Sequence, residues 1–513
     1  MNSSKVYLGI DSGQSKIKIA AFDEYGNQIM LVDESLRILN PKSGFYEIYI
    51  EELWLKTRKL LREITGKISP YNIKCIGICG HAGGFYALDY NLRPFEKGVL
   101  PIDRRAGSVI SKLDWKHVSK EFFEKTGMPL MTGFPVMILR WLKEYEKQKY
   151  KGIKYVLSRK DLIRYLLTGE TSTDISDACF GFLNVYTQDY DKEIFELIGI
   201  VDAFDYLPEL RTASYEIVGH VSREASKETG LNEGTPVIVG AHDACCNLIG
   251  SGAIESRSMC SAGGTWSINM ILTDKPILNM KWSCESFIIK GKWMLEQYSP
   301  TAAICLNWFI NNFLSEEIQK AKSNGMNIYD VINKKIANVE THVIFLPFIM
   351  GLPSGYPYSS NASAAFIGLK FEDNKLKLLR ALYEGIAFIK AVHIEEYEKF
   401  FPIGEIRFTG GMAKSDIFCQ LLADITGKNV LTVDKEETGC FGAAFLGMLG
   451  LGDTRDLKDV LNYLKISHTY QPRREHVKVY RLKYELFKKC CLILDDIWDS
   501  IENIEKLLRS EYK

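Results

Sequence analysis

The chain of 513 residues has no surplus of charge of either sign: 64 lysines and arginines stand against 64 aspartates and glutamates. A protein that tracks a polyanion needs a basic excess, so nucleic acid is not an expected partner. Long apolar runs are missing too. The longest, around Val343 to Leu352, contains a proline and is too short to cross a bilayer, so no membrane partner is expected. Met1-Asn2-Ser3-Ser4-Lys5 leads straight into a strand pattern without a secretory apolar region, and the expected location is cytoplasmic. Metal-type cysteine spacing is also lacking. The twelve cysteines are scattered or adjacent, as at Cys245-Cys246 and Cys490-Cys491, and read as reduced, buried thiols. No low-complexity linker divides the chain, so any hinge is short.

What the chain does have is two glycine-punctuated hairpin signals, one opening each half. The first is Gly9-Ile10-Asp11-Ser12-Gly13-Gln14-Ser15-Lys16, and the second is Ser261-Ala262-Gly263-Gly264-Thr265-Trp266-Ser267. Each is an apolar strand that runs into small residues and leaves as another strand. Such turns leave backbone N–H groups free, and glycine lets a phosphate approach them closely. Two of them suggest a nucleotide-using enzyme in which one polyphosphate is held from both sides.

The first half reads as a meander over residues 6–11, 17–23 and 28–32, a helix over 51–65, and a buried strand over 73–79 that ends in Gly80-His81-Ala82-Gly83-Gly84. A second buried strand, Thr235 to Gly240, ends at Ala241-His242-Asp243. The second half repeats the grammar with a hairpin from Ser258 to Leu272 and a long helix from about Lys377 to Phe400. A strand then runs into Gly410-Gly411-Met412-Ala413-Lys414-Ser415. The tail from about His476 to Leu508 is helical, with Tyr484, Phe487, Cys491, Leu494, Trp498 and Ile501 on one core-packing stripe.

Several residues in these places carry chemistry. Asp11, beside free N–H groups at a strand end, suits Mg²⁺; its alternative is an Asx-turn satisfying its own backbone. Asp243 follows a buried strand and suits a general base for a substrate hydroxyl; its alternative is a helix N-cap. His242 reads more readily as structural, and Lys16 and Lys18 as solvated lysines or site groups. Asp103-Arg104-Arg105 is either a solvated cluster or, in a nucleotide-dependent kinase, a set of hydrogen-bonding groups for sugar hydroxyls. Ser415 is placed to cap a helix.

Together these motifs resemble the FGGY carbohydrate kinases, from Leu8 to about Tyr484. The resemblance rests on Gly9 to Gly13, Gly77 to Asp89, Asp103-Arg104-Arg105, Ser158 to Glu170 and Ala241-His242-Asp243. It continues through Ala262 to Ser267, Tyr383 to Phe388, Gly410 to Ser415 and Gly439 to Ala444. It implies an α/β protein of two ribonuclease-H-like domains, the actin and hexokinase type, with an interdomain cleft that closes on ATP·Mg²⁺ and a sugar. The implied domains are 1–251 for sugar and the first phosphate loop, 252–465 for ATP, and a helical tail over 466–513.

The implied base is Asp243, with Asp11 and Asp243 at the metal. His81, Asp103, Arg104 and Asp243 lie on the sugar side. Gly13, Gln14, Ser15, Gly263, Gly264, Thr265, Gly410, Gly411 and Ser415 lie on the nucleotide side. Where glycerol kinases of the family carry an Arg-Glu pair, this chain has Ala82 and Gly83, and the histidine that D-xylulose kinases place at Gly83 is absent. The stretches Gly98 to Ala106 and Ala262 to Asn269 look most like the L-xylulose and erythritol kinase branch. The expected activity is phosphorylation of a small ketose or polyol, L-xylulose first, then erythritol, D-xylulose or glycerol. The rival reading is a non-catalytic sensor of the same fold, against which the two retained carboxylates speak. A homodimer is admitted.

Overall fold

A computed structural model describes residues 5–264, 266–351 and 361–511. The expectations placed on Thr265, Leu352 and Met1 to Ser4 fall outside them. The chain divides into two compact units, and the division does not follow its linear order. The first comprises Met1–Glu255, Leu272–Leu295 and Lys435–Lys465; the second comprises Ser256–Ile271, Glu296–Asp434 and Ile466–Lys513.

In the first unit, strands β1 (Val6–Ser12), β2 (Lys16–Asp23) and β3 (Gln28–Ser35) form the meander, and helix α1 (Ile50–Thr65) follows. Strand β4 (Ile73–Gly80) pairs parallel to β1. Further on come α2 (Arg159–Thr168), β5 (Ile217–His220), β6 (Pro236–Ile238) and α3 (Asp243–Ser251). The sheet order is β5-β6-β4-β1-β2-β3, with Ala241–His242 pairing against the end of β4. Strand periodicity sorts its faces. Leu8, Ile10, Ile17 and Ile19 pack with Leu53, Leu60 and Ile64 of α1 in one core. A second core, including Phe122, Phe134, Ile138 and Phe195, lies in the long insertion between β4 and β5.

The second unit is built on β7 (Ser258–Gly263) and most of β8 (Ser267–Thr273), followed by the 24-residue helix α4 (Lys375–Glu398). Then come β9 (Glu405–Thr409), α5 (Asp416–Thr426) and β10 (Asn429–Val433). The next helix, α6 (Thr438–Leu451), returns to the first unit. Strand β11 (Ile466–Tyr470) and helices α7 (Arg474–Ile493) and α8 (Asp495–Glu511) complete the second unit. Its strands run β8-β7-β9-β10-β11, with β7 parallel to β9 and β9 parallel to β10. Each unit thus has an antiparallel hairpin beside a parallel neighbour, the α/β arrangement expected.

Helix α6 explains the return. Tyr7, Gly9 and Asp11 alternate onto the sheet face opposite α1, and α6 lies there with its backbone against the strands. A β-carbon on Gly9 would come within 1.8 Å of the Cys440 carbonyl oxygen, and one on Gly77 within 1.8 Å of that of Ala443. Helices α3 and α6 meet in the same way, through Gly250 against Thr438 and Gly442 against Cys246. All twelve cysteines are free thiols, eleven of them buried. Among the described residues, no helix is long and apolar enough to cross a membrane.

Candidate active site

Asp11 is the last residue of β1 on the α6 side of the sheet before the Gly13-Gln14-Ser15 turn, and it is half-buried. The N-terminus of α6 comes to it. A β-carbon on Gly439 would lie 2.9 Å from Asp11 Oδ2. Burial pushes the Asp11 carboxyl up and the facing Asp243 carboxylate pushes it further; Lys18 opposes them, and the result is about 7. Two carboxylates that disfavour each other's charge make a fitting seat for a cation. Among the described residues, no group of three or more His, Cys, Asp or Glu could hold a metal. That donor set suits Mg²⁺, which commonly takes one or two carboxylates and fills its shell with water and phosphate oxygens.

Asp243 opens α3, and His242, not Asp243, occupies the N-cap position. The Asp243 carboxylate is therefore not used as a cap, and its side chain is 36% exposed. The Asn247 amide donates to the Asp243 carbonyl at 3.0 Å, and Asn247 Oδ1 accepts from the Thr438 hydroxyl at 2.8 Å, which ties the starts of α3 and α6 together. His242 is buried between two acids, with Nδ1 3.8 Å from Asp243 Oδ1 and Nε2 3.3 Å from Glu285 Oε2. Glu285 was invisible as a partner in sequence, lying more than forty residues on without a motif.

The first glycine turn is held from behind by Arg159, the first residue of α2. Its Nε donates to the Ser12 hydroxyl at 2.8 Å, one terminal nitrogen to the Tyr86 hydroxyl at 2.8 Å, and the other to the Gly13 carbonyl at 3.3 Å. His81 joins the chain through Tyr86, its Nε2 3.1 Å from the same hydroxyl. Burial, with Arg159 nearby, lowers His81 to about 3, so its ring is neutral. Helix α2 is anchored by a capping box between Ser158 and Asp161. Beneath it, the buried Lys160 ammonium lies 2.7, 2.9 and 3.1 Å from Asp161, Asp174 and Asp177. Neither Arg159 nor Tyr86 was singled out from the sequence.

Asp103 is fully buried, and both its oxygens are committed. Oδ1 accepts from the Arg105 backbone at 2.8 Å and from Arg105 Nε at 2.9 Å; Oδ2 accepts from the Tyr46 backbone at 2.7 Å and from an Arg105 terminal nitrogen at 2.9 Å. Arg105 also pairs with Glu47 at 2.8 Å. Arg104 is exposed. Lys18, opposite Asp11 in the β1–β2 register, pairs with Glu437 at 2.5 Å, while Lys16 pairs with Asp33 on the surface.

In the second unit the two glycine turns lie together. Gly410 leaves β9 with φ +85°, and a β-carbon there would meet the Gly263 carbonyl oxygen at 2.9 Å. One on Gly263 would meet Phe408 at 2.7 Å and Met412 at 3.0 Å, whereas Gly411 has open space around it. The Gly264 N–H is used inside its own turn, donating to the Trp266 carbonyl at 3.0 Å. Ser415 caps α5 by accepting from Phe418 N at 3.3 Å, and its hydroxyl donates to Asn333 at 3.0 Å. Behind β7, the fully buried Lys390 of α4 donates to the Ser261 hydroxyl at 2.8 Å and the Ala262 carbonyl at 3.1 Å.

The chain matches the FGGY family of carbohydrate kinases, N-terminal domain, over residues 6–250 and its C-terminal domain over residues 259–451. It is 31% identical over 496 residues to a probable L-xylulose kinase of Pasteurella multocida, covering 94% of this chain and 98% of the relative. It is 28% identical over 495 residues to the L-xylulose/3-keto-L-gulonate kinase of Escherichia coli, covering 94% and 96%. In fold it is similar to the crystal structure of gluconate kinase from Lactobacillus acidophilus, with TM-score 0.88 and 22% identity, covering 97% of this chain and all of that one. With a matching family domain in each half and relatives named as sugar kinases along nearly its full length, the chain belongs to the FGGY family of carbohydrate kinases.

Proposed function

We propose that this sugar kinase transfers the γ-phosphoryl group of ATP to a hydroxyl of a small ketose, with L-xylulose the foremost candidate and Asp243 the general base. The observation that carries the reading is the Asp243 carboxylate, free of any capping duty and close enough to Asp11 to raise its pKa. Asp243 takes the proton of the sugar hydroxyl as that oxygen bonds to the γ-phosphorus. The bond to the bridging oxygen breaks, and ADP leaves with the electron pair. Backbone N–H groups of Gly13, Gln14 and Ser15 on the first turn spread the phosphate charge, and the Gly263 and Gly410-Gly411 turns of the second unit are proposed nucleotide contacts. Asp11 and Asp243 would hold Mg²⁺, which when bound offsets charge on the phosphates.

On the sugar side, His81 and Arg104 are proposed contacts. Asp103, fully engaged by Arg105 and Tyr46, acts by fixing the turn that presents Arg104. L-xylulose is favoured by the similarity to two kinases named for it and by Ala82 and Gly83 in place of a polyol-gripping pair. Gly83 has φ +69°, so an L side chain there would be strained.

Sugar-dependent ADP release, measured with L-xylulose, 3-keto-L-gulonate, D-xylulose, gluconate, erythritol and glycerol, tests the substrate. A clear preference for glycerol or gluconate overturns it. Asp243→Asn should lower kcat by about 10²–10⁴-fold while ATP binding persists. Near-normal turnover in that variant removes Asp243 from the role.

A further inference from the structure

A cavity of about 770 Å³ lies wholly within the second unit, walled by α4, α5, α7 and the segment 337–341. Its volume is that of a small-molecule site, and none of the residues proposed for the sugar or the nucleotide lines it. Deep in its wall two cations share one acid. Arg380, only 7% exposed, donates from Nε to Glu384 at 3.2 Å and from Nη2 to the Tyr480 hydroxyl at 2.7 Å. Lys483 of α7 pairs with the same carboxylate and donates to the Thr341 carbonyl at 2.8 Å. One positive charge is therefore left over. Arg380 Nη1 donates to no group among the described residues, and the Lys483 ammonium has a third N–H beyond those two bonds. Unused donors from a guanidinium and an ammonium side by side suit an oxyanion, and the three terminal oxygens of a phosphate ester suit them best.

The mouth narrows the choice. Glu340, Asp416 and Glu475 stand there, exposed, and would repel a ligand charged along its length, such as a polyphosphate or a dicarboxylate. Arg473, also at the mouth, is already bonded to the buried Asp424. The Gln420 amide nitrogen is spent on Asp424 and the Gln471 carbonyl, which leaves its oxygen as an acceptor. Carboxylate and amide oxygens accept from hydroxyls. A cationic depth with a hydroxyl-accepting mouth matches a molecule with one anionic end and a neutral, polyhydroxylated body.

We propose that this cavity is a second ligand site, for the phosphate monoester of a small sugar or polyol. The phosphate lies on Arg380 and Lys483, and the hydroxyls donate to Asp416, Glu475 and Gln420. Isothermal titration of D-arabitol 5-phosphate into the full chain, with ADP, Mg²⁺ and L-xylulose at saturation to occupy the catalytic site, should show one binding event. Val479 lines the cavity and is 56% exposed, so Val479→Trp fills the mouth from the surface. That variant, with an unchanged circular dichroism melt, and Arg380→Met should each weaken binding at least about tenfold. Inorganic phosphate, D-arabitol and D-arabinonate should each bind at least about tenfold more weakly than the ester. Absence of binding overturns the proposal. So does binding that Val479→Trp leaves intact, which would put the ester in the catalytic site. Arabinonate or bare phosphate binding as tightly as the ester would give the cavity to a sugar acid or a simple anion instead.

Discussion

Asp11 and Gly439, 428 positions apart, meet where a single β-carbon decides the site: placed on Gly439, it would stand 2.9 Å from Asp11 Oδ2. The next neighbour, Asn247 Oδ1, is at 3.5 Å, so the backbone has room and the carboxylate must yield. Gly439→Ala should therefore leave the thermal melt nearly unchanged and swing Asp11 off its position. A misplacement of about 1 Å in a catalytic constellation costs on the order of 10²-fold. A loss of kcat of about that size at constant stability is expected; an equally active Gly439→Ala enzyme would show that Asp11 is not position-critical.

Arg159 gives a different signature, because its contacts lie behind the turn. Its removal strands the Ser12 and Tyr86 hydroxyls and the Gly13 carbonyl in a buried space, and an unsatisfied buried group costs about 1–3 kcal/mol. Arg159→Met should lower unfolding stability by about that amount and raise KM for ATP more than it lowers kcat. Arg159→Lys should not rescue, since an ammonium cannot make the forked set of bonds. Recovery with lysine would reduce the residue's role to its charge.

Both glycine hairpins, the buried strands ending at Gly80 and His242, and the tail helix were legible because strand and helix periods and turn residues are local signals. Helix α6 was not. Its apolar, glycine-rich run gives no amphipathic face, and it docks through backbone on Gly9 and Gly77, which leaves no side-chain trace. It was accordingly grouped with its sequence neighbours in the second domain. Asp103 and Arg104 were both read as sugar contacts, whereas both Asp103 oxygens accept from Arg105 and the Tyr46 backbone, and Arg104 is exposed. Arg159 and Glu285 reach their partners across more than forty residues, a distance over which no spacing rule operates.

Asp103 separates structure from contact. Its four accepted hydrogen bonds include a charge-assisted pair with Arg105, and bonds to charged groups are worth about 1.5–3 kcal/mol. Asp103→Asn should cost about 2–3 kcal/mol in denaturant unfolding, because one oxygen becomes a donor facing donors. Arg104→Ala should leave stability alone and raise KM for the sugar. An Asp103→Asn chain as stable as wild type, with only KM altered, would put Asp103 on the substrate instead.

Lys390 makes stability depend on pH in a direction opposite to that of an ordinary salt-bridged lysine. Its ammonium is buried among Ser261, the Ala262 carbonyl, Cys260, His393 and the Phe408 ring, with no carboxylate beside it among the described residues, and burial lowers it from 10.5 to about 7. Burial, with Lys390 nearby, also lowers His393 to about 3, so its ring stays neutral above that pH. Between pH 7 and 10.5 the unfolded chain holds a proton that the folded chain has released. Stability therefore rises with pH across that window, by up to about 1.4 kcal/mol per unit for one proton. Below pH 7 both states are protonated and the cost of burying the cation is present in full. Denaturant unfolding of wild type and Lys390→Met at pH 6.5, 8 and 9.5 should show the wild-type curve gaining on the variant as pH climbs. Curves that run parallel would mean that Lys390 keeps its charge throughout, with an anion that stabilises it beneath the second glycine turn.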